Sequence, residues 1–235
     1  MLKNSKLEIL ITALLLIAVI VFFEFTNVDI AVEEYFYNFQ THQWFEDRNE
    51  PIAKFIFYDG IKKLLIAFAL GVLFFLVIFR KKEFLKGYKK GIILVVLSSI
   101  LIPLAVGTLK ATTNTPCPKN IDYFEGNYPN IKVFDDYPAN FVQEKRIKCW
   151  PAGHASGGFA LLSLFFLFKK KKNKYLALGI AMVIGWSMGT YKMLIGDHFL
   201  SHTIITMIIA WLIILLIKEL LDLIERKKFE KSTKI

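Results

Sequence analysis

The chain has 235 residues, 55% hydrophobic and 15% aromatic, with a mean hydropathy of +0.46 and a formal net charge of +10. Its apolar residues lie in long runs divided by short charged segments. This excludes a soluble globular domain, because a run of about 18 or more apolar residues can cross a bilayer. The lysines sit between those runs, so the charge reads as a topology signal and not as a nucleic-acid surface; two cysteines without Cys-x-x-Cys spacing exclude a disulfide scaffold or a zinc finger.

Leu7 to Phe25 is the first apolar run. It is long and no small-x-small cleavage site follows, so it reads as an uncleaved anchor and not as a secretory signal. The acidic segment 26–63 comes next, and its Tyr35, Phe36, Tyr37, Trp44 and Phe45 suit packing at a membrane surface, with His42 as a surface residue. Runs two and three, 64–79 and 91–109, are divided by six basic residues between Arg80 and Lys90, and Pro103 kinks the third. The polar segment 110–151 holds both cysteines. Three more runs follow at 152–168, 175–191 and 199–217, then a basic tail that includes Lys234. The sequence therefore predicts one all-α integral membrane domain over 1–235, a bundle of six transmembrane helices with outer loops 26–63 and 110–151.

Charge orients this chain. With the N-terminus inside, 19 of the 30 basic residues fall on inner segments, and the outer segments hold 13 of the 20 acids. Both termini are then cytoplasmic. Lysine-heavy, phenylalanine-rich usage fits an AT-rich bacterium, which makes the membrane the bacterial inner membrane and the outer face periplasmic.

That topology brings five ionisable residues to one depth at the outer face. Run three ends on Lys110, run four begins at His154, run five ends on Lys192, and run six begins at His198 and His202. Ionisable groups at membrane depth are costly and mark function. Two cations with several histidines suit a phosphate ester: the cations neutralise charge on the non-bridging oxygens, one ring attacks phosphorus and another protonates the leaving oxygen. A metal reading is also open, since His198 and His202 have ligand spacing at i, i+4, with Asp197 adjacent and His154 nearby.

Three short stretches resemble the motifs of the type 2 phosphatidic acid phosphatase superfamily, which includes the vanadium haloperoxidases. That pattern runs K-x6-R-P, P-S-G-H and S-R-x5-H-x3-D. Here Lys110 precedes Cys117-Pro118 by the same spacing, the second stretch is Pro151-Ala152-Gly153-His154, and the third places Tyr191-Lys192 before His198 and His202. The resemblance implies that family's six-span helical fold and a lipid phosphate substrate in the membrane, with no metal or other cofactor. It implies His198 as nucleophile, His154 as general acid, and Lys110 and Lys192 as phosphate ligands; Gly153 of the second stretch joins them as a candidate phosphate-binding residue, and a neutral His202, one helical turn along, can orient His198 in place of an aspartate. The chain departs from the pattern at four places: Cys117 stands for arginine, Ala152 for serine, Lys192 for arginine and His202 for aspartate.

Cys117 and Cys149 share an outer loop, where a disulfide can persist. Pairing them draws Arg146 toward the position of the missing arginine and makes it the candidate replacement cation. The same machinery could hydrolyse a lipid phosphomonoester or diphosphate through a phosphohistidine. It could also pass the phosphoryl group to a second lipid. A non-enzymatic lipid-binding protein is the third alternative.

Overall fold

The computed structural model describes residues 2–232; Met1 and 233–235, and with them Lys234 of the basic tail, lie outside the described residues. The principal elements are α1 (Leu2–Phe25), the short α2 (Val28–Glu33), a two-stranded hairpin of β1 (Tyr37–Asn38) and β2 (Gln43–Trp44), and α3 (Pro51–Phe79). Then come α4 (Lys89–Thr112), α5 (Gly153–Ala160) with a tighter 3-10 extension over Leu161–Phe166, α6 (Lys171–Leu194) and α7 (Leu200–Ser232). Apart from this hairpin of two-residue strands, the described fold is built of helices, and its class is the all-α one the sequence predicts.

All six predicted spans are helical, but they do not all have the length and hydropathy of a span. Four described helices are long and apolar enough to cross a membrane: α1, α3, α4 and α7. The fourth predicted run forms a short apolar helix, Gly153–Leu167, and the fifth, α6, carries Lys171, Lys172, Lys174 and Lys192. Two helices also overrun their apolar stretches. α3 starts at Pro51 and not at Leu64, capped by the Glu50 side chain on the Ala53 N–H with Pro51 in its first turn. Lys54, Asp59, Lys62 and Lys63 end the apolar run without ending the helix, because hydropathy tracks membrane depth while hydrogen bonding and caps set helix ends.

The core lies among α4, α5, α6 and α7, where Ile102, Val106, Phe159, Ala181, Ile205 and Ile214 are buried. Small residues let these helices approach. A Cβ added to Gly158 would lie 2.7 Å from Gly185 Cα, and one added to Gly189 would lie 2.3 Å from Thr203 Cγ2. α1 lies along α7 but leaves Leu7, Leu10, Leu14 and Ile17 open, and none of the apolar window of α3 is buried. Surfaces this apolar are stable where lipid covers them.

The aromatic residues of 26–63 divide. Tyr35 and Phe45 are exposed, whereas Tyr37 and Trp44 pack on Phe124 of the second loop, with ring centroids 5.3 and 5.2 Å apart. Their burial is loop on loop. The disulfide Cys117–Cys149 is formed, with Cα atoms 5.2 Å apart. His42 is exposed and paired with Glu125.

Candidate active site

The site forms where α4 ends, α5 begins, and the turn between α6 and α7 closes. Gly153 opens α5 without a Cβ, and Lys110 lies along the space that a side chain would fill, its Nζ 3.9 Å from that position. No hydrogen bond or ion pair from the protein reaches the Lys110 ammonium among the described residues. His154 follows Gly153, its ring centroid 4.5 Å from that of Tyr58 in α3, and its Nδ1 is buried without a partner. Lys192 Nζ lies 4.1 Å from the centroid of the same Tyr58 ring. Tyr58 thus touches both the histidine and the lysine.

The turn after α6 is held tightly. Asp197 and His198 both donate their backbone N–H groups to the Lys192 carbonyl, at 2.7 and 3.2 Å. Gly196 adopts φ +68°, a left-handed conformation that disfavours a side chain, and a Cβ there would lie 2.3 Å from the Trp44 ring. Both loops bond to this turn: Lys119 N–H donates to the Gly196 carbonyl at 3.0 Å, and Glu46 N–H to that of Leu194 at 3.2 Å.

His198 and His202 are buried one helical turn apart, with their Nδ1 atoms 3.2 Å apart. One ring must donate and the other accept. When His198 donates from Nδ1, its Nε2 keeps the lone pair that a nucleophile needs. Burial first, then Lys110, pushes the His198 ring below its ordinary value, so the ring is neutral at pH 7. The Cys149 sulfur lies 3.6 Å from His198 Nδ1 and 3.0 Å from the Asp197 carbonyl oxygen, so the disulfide packs behind the histidine pair.

Asp197 was weighed from the sequence only as a metal ligand. Its carboxylate instead receives Arg48 and Lys119 on Oδ1, the latter at 2.8 Å, and Lys192 on Oδ2 at 3.0 Å. Burial alone would raise its pKa. The Arg48 guanidinium, then Lys192 and Lys119, outweigh burial and hold the carboxyl well below the usual carboxylate range. Among the described residues the close grouping of metal-ligand atoms is Cys149, His198 and His202, within 4.8 Å of one another. Cys149 is in the disulfide and offers no thiolate, which leaves two rings, fewer than the three protein ligands of a catalytic zinc.

Lys110, His154, Lys192, His198 and His202 therefore come together with Gly153. Arg146 does not join the Asp197 cluster; its guanidinium donates to the Thr112 carbonyl on an exposed rim, two residues past Lys110. The sequence reading missed Arg48, Tyr58 and Lys119. Lys119 had a signal, lying directly after the Pro118 of the first motif. Arg48 and Tyr58 had none, because only tertiary contacts bring loop 26–63 to this turn.

A groove of about 410 Å³ runs from His154 and Lys62 between α3, α4 and α5, walled by Leu65, Ala69, Pro103, Gly157 and Ala160. Lys62 and His154 are its charged or titratable lining residues, and most of the rest are apolar.

A buried histidine pair, a cluster of cations around Asp197, and a third histidine that also lines an apolar groove define a membrane protein suited to an anionic group. The chain belongs to the PAP2 superfamily, whose pattern it matches over residues 90–224. It is similar to a lipid A 4′-phosphatase of Francisella tularensis subsp. novicida (strain U112), with 29% identity over 195 residues covering 79% of this chain and 82% of that protein. No solved structure matches the chain.

Proposed function

We propose that this protein hydrolyses a lipid phosphate at the outer face of a bacterial inner membrane. Family and relative together support a lipid phosphatase. The observation that carries the reading is the groove: an apolar channel of about 410 Å³ that opens on His154 and Lys62 suits an acyl chain whose phosphate rests among the cations. A ligand phosphate also explains Lys110, a half-buried ammonium without a hydrogen-bond or ion-pair partner among the described residues.

In this reading His198 Nε2 attacks phosphorus, an N–P bond forms and the ester P–O bond breaks, while His154 gives its proton to the leaving oxygen. Water then attacks phosphorus, His154 takes its proton back, and the N–P bond breaks to release phosphate. His202 accepts the His198 Nδ1 hydrogen and stabilises the ring as charge grows on it, the role an aspartate fills in the family pattern. Lys110 and Lys192 neutralise the equatorial oxygens.

Similarity to a lipid A 4′-phosphatase makes a phosphorylated sugar lipid the first substrate to try, beside phosphatidic acid and a polyprenyl diphosphate. The test is phosphate release by purified protein in detergent. His198→Ala should reduce release by at least about a thousandfold, since it removes the atom that forms the covalent bond. Release from no lipid phosphate, or equal release by His198→Ala, would sink the reading.

A further inference from the structure

The family pattern places an arginine at position 117, and this chain has a disulfide-bonded cysteine there. Yet the site is not short of cations. Arg48, Lys119 and Lys192 all grip Asp197, and Lys110 stands beside Gly153, so four cations face one carboxylate. Neutralising Asp197 needs one of them. Glu46 and Glu50 lie near Tyr191 in the same region, yet the cations gathered on Asp197 still outnumber the carboxylate they bind, which favours an anion such as a phosphate monoester.

The way these cations are held is informative. Arg48 comes from the loop before α3, outside the region 90–224 that matches the family, and its side chain stays half exposed. Among the described residues its hydrogen bond goes from Nη2 to Asp197, which leaves most of its five N–H donors open there. Lys119 follows Pro118 directly, so the cystine that removes the family arginine anchors the stretch carrying it. Asp197 sits directly before His198, and its carboxylate ties both cations to Lys192.

We infer that Arg48 and Lys119, one from each outer loop, clamp the reacting phosphoryl group in place of the family arginine, with Asp197 positioning them against Lys192. The inference rests on reading the site as a phosphate site. The Arg48 guanidinium offers its free fork to two non-bridging oxygens, a geometry lysine cannot reproduce. Lys119, bound to the same Asp197 oxygen, adds a point charge beside it. Because the fork arrives on a loop and not on a core helix, it can meet a headgroup of variable size.

A bland alternative is that the three cations only neutralise Asp197 and dock the loops. The two readings part on phosphate affinity. Full-length protein in detergent is titrated with inorganic phosphate by calorimetry, and phosphate is tested as an inhibitor of ester hydrolysis. We expect Arg48→Ala and Lys119→Ala each to weaken the phosphate Kd and inhibition constant at least tenfold, with Arg48→Lys intermediate. Added guanidinium should restore most of the Arg48→Ala loss, a rescue that a purely docking residue does not show.

Failure of wild-type protein to bind phosphate, or Kd values within twofold of wild type in both alanine variants, overturns the clamp. So does a loss confined to Arg146→Ala. If Arg48→Ala does not fold, Arg48→Lys and Lys119→Ala decide, and unchanged affinity in both overturns it. The readout separates this inference from the lipid-phosphatase reading. Protein that binds phosphate through Arg48 but releases none from any lipid would remove that reading and keep the clamp. A phosphatase whose phosphate affinity ignores Arg48 and Lys119 would do the reverse.

Discussion

The two halves of the molecule are built differently. From Lys89 onward, α4 to α7 bury their apolar faces against one another and carry Lys110, His154, Lys192 and His198 at the ends that meet. Before Lys89, α1 and α3 leave their apolar surfaces open, yet this half brings Arg48 and Tyr58 to the site and walls the groove with Leu65 and Ala69. The difference teaches a division of labour. Dense packing holds these lysines and histidines in place, because an interior packed like a crystal resists displacement. The open half presents apolar surface that lipid can cover.

This contrast is broken most severely in the packed half. Gly158→Leu should destabilise the protein by more than about 4 kcal/mol, since even a Cβ would meet Gly185 Cα at 2.7 Å. Loss of the monodisperse peak in size-exclusion chromatography checks this, and a stable, monodisperse variant would contradict the close helix crossing. Next in size is the cystine: Cys117→Ser with Cys149→Ser should cost about 3 kcal/mol, read as a lower Tm. Reductant should lower the wild-type Tm and leave the double variant unmoved.

Glu33 sharpens the contrast from the other side. It is fully buried in α2 with neither carboxyl oxygen bonded, and burial, then Asp29, push its pKa from 4.5 up to about 10. The folded protein therefore holds a proton that the unfolded chain releases near 4.5. Stability is fully present below about 4.5 and is lost as pH rises from there toward about 10. Glu33→Gln cannot ionise, so it should flatten that slope and raise stability at pH 8 by about 2 kcal/mol. A pH series of thermal melts tests it, and an unchanged slope would count against a protonated Glu33.

The smallest effect belongs to the groove wall. Ala69→Trp should raise KM for a long-chain lipid phosphate severalfold relative to a water-soluble ester, about 1 kcal/mol of selective binding. Equal change for both substrates would mean that the groove does not hold the chain.

Much of the candidate site is legible in the sequence. Lys110, His154, Lys192, His198 and His202 each mark the end of an apolar run, and run ends share a depth once the number of crossings is even or odd. The disulfide was legible for the same reason, since both cysteines lie in one outer loop. Helix limits were less so: charged residues within 51–63 hid the first turns of α3, and lysines at both ends of α6 gave it the composition of a weaker span. Arg48 and Tyr58 were invisible because loop geometry leaves no periodic trace in sequence.

The sequence by itself determined the membrane class, the helical runs and the motif residues, because hydropathy and spacing act along the chain and need no partner. Tertiary structure alone decided which cations surround Asp197, that Tyr58 lies against both His154 and Lys192, and that Arg146 turns to Thr112 instead. Those outcomes depend on how two loops dock on the Gly196 turn. Docking of that kind is set by the packing of Trp44 and the hydrogen bonds of Lys119 and Glu46, which join residues more than seventy positions apart.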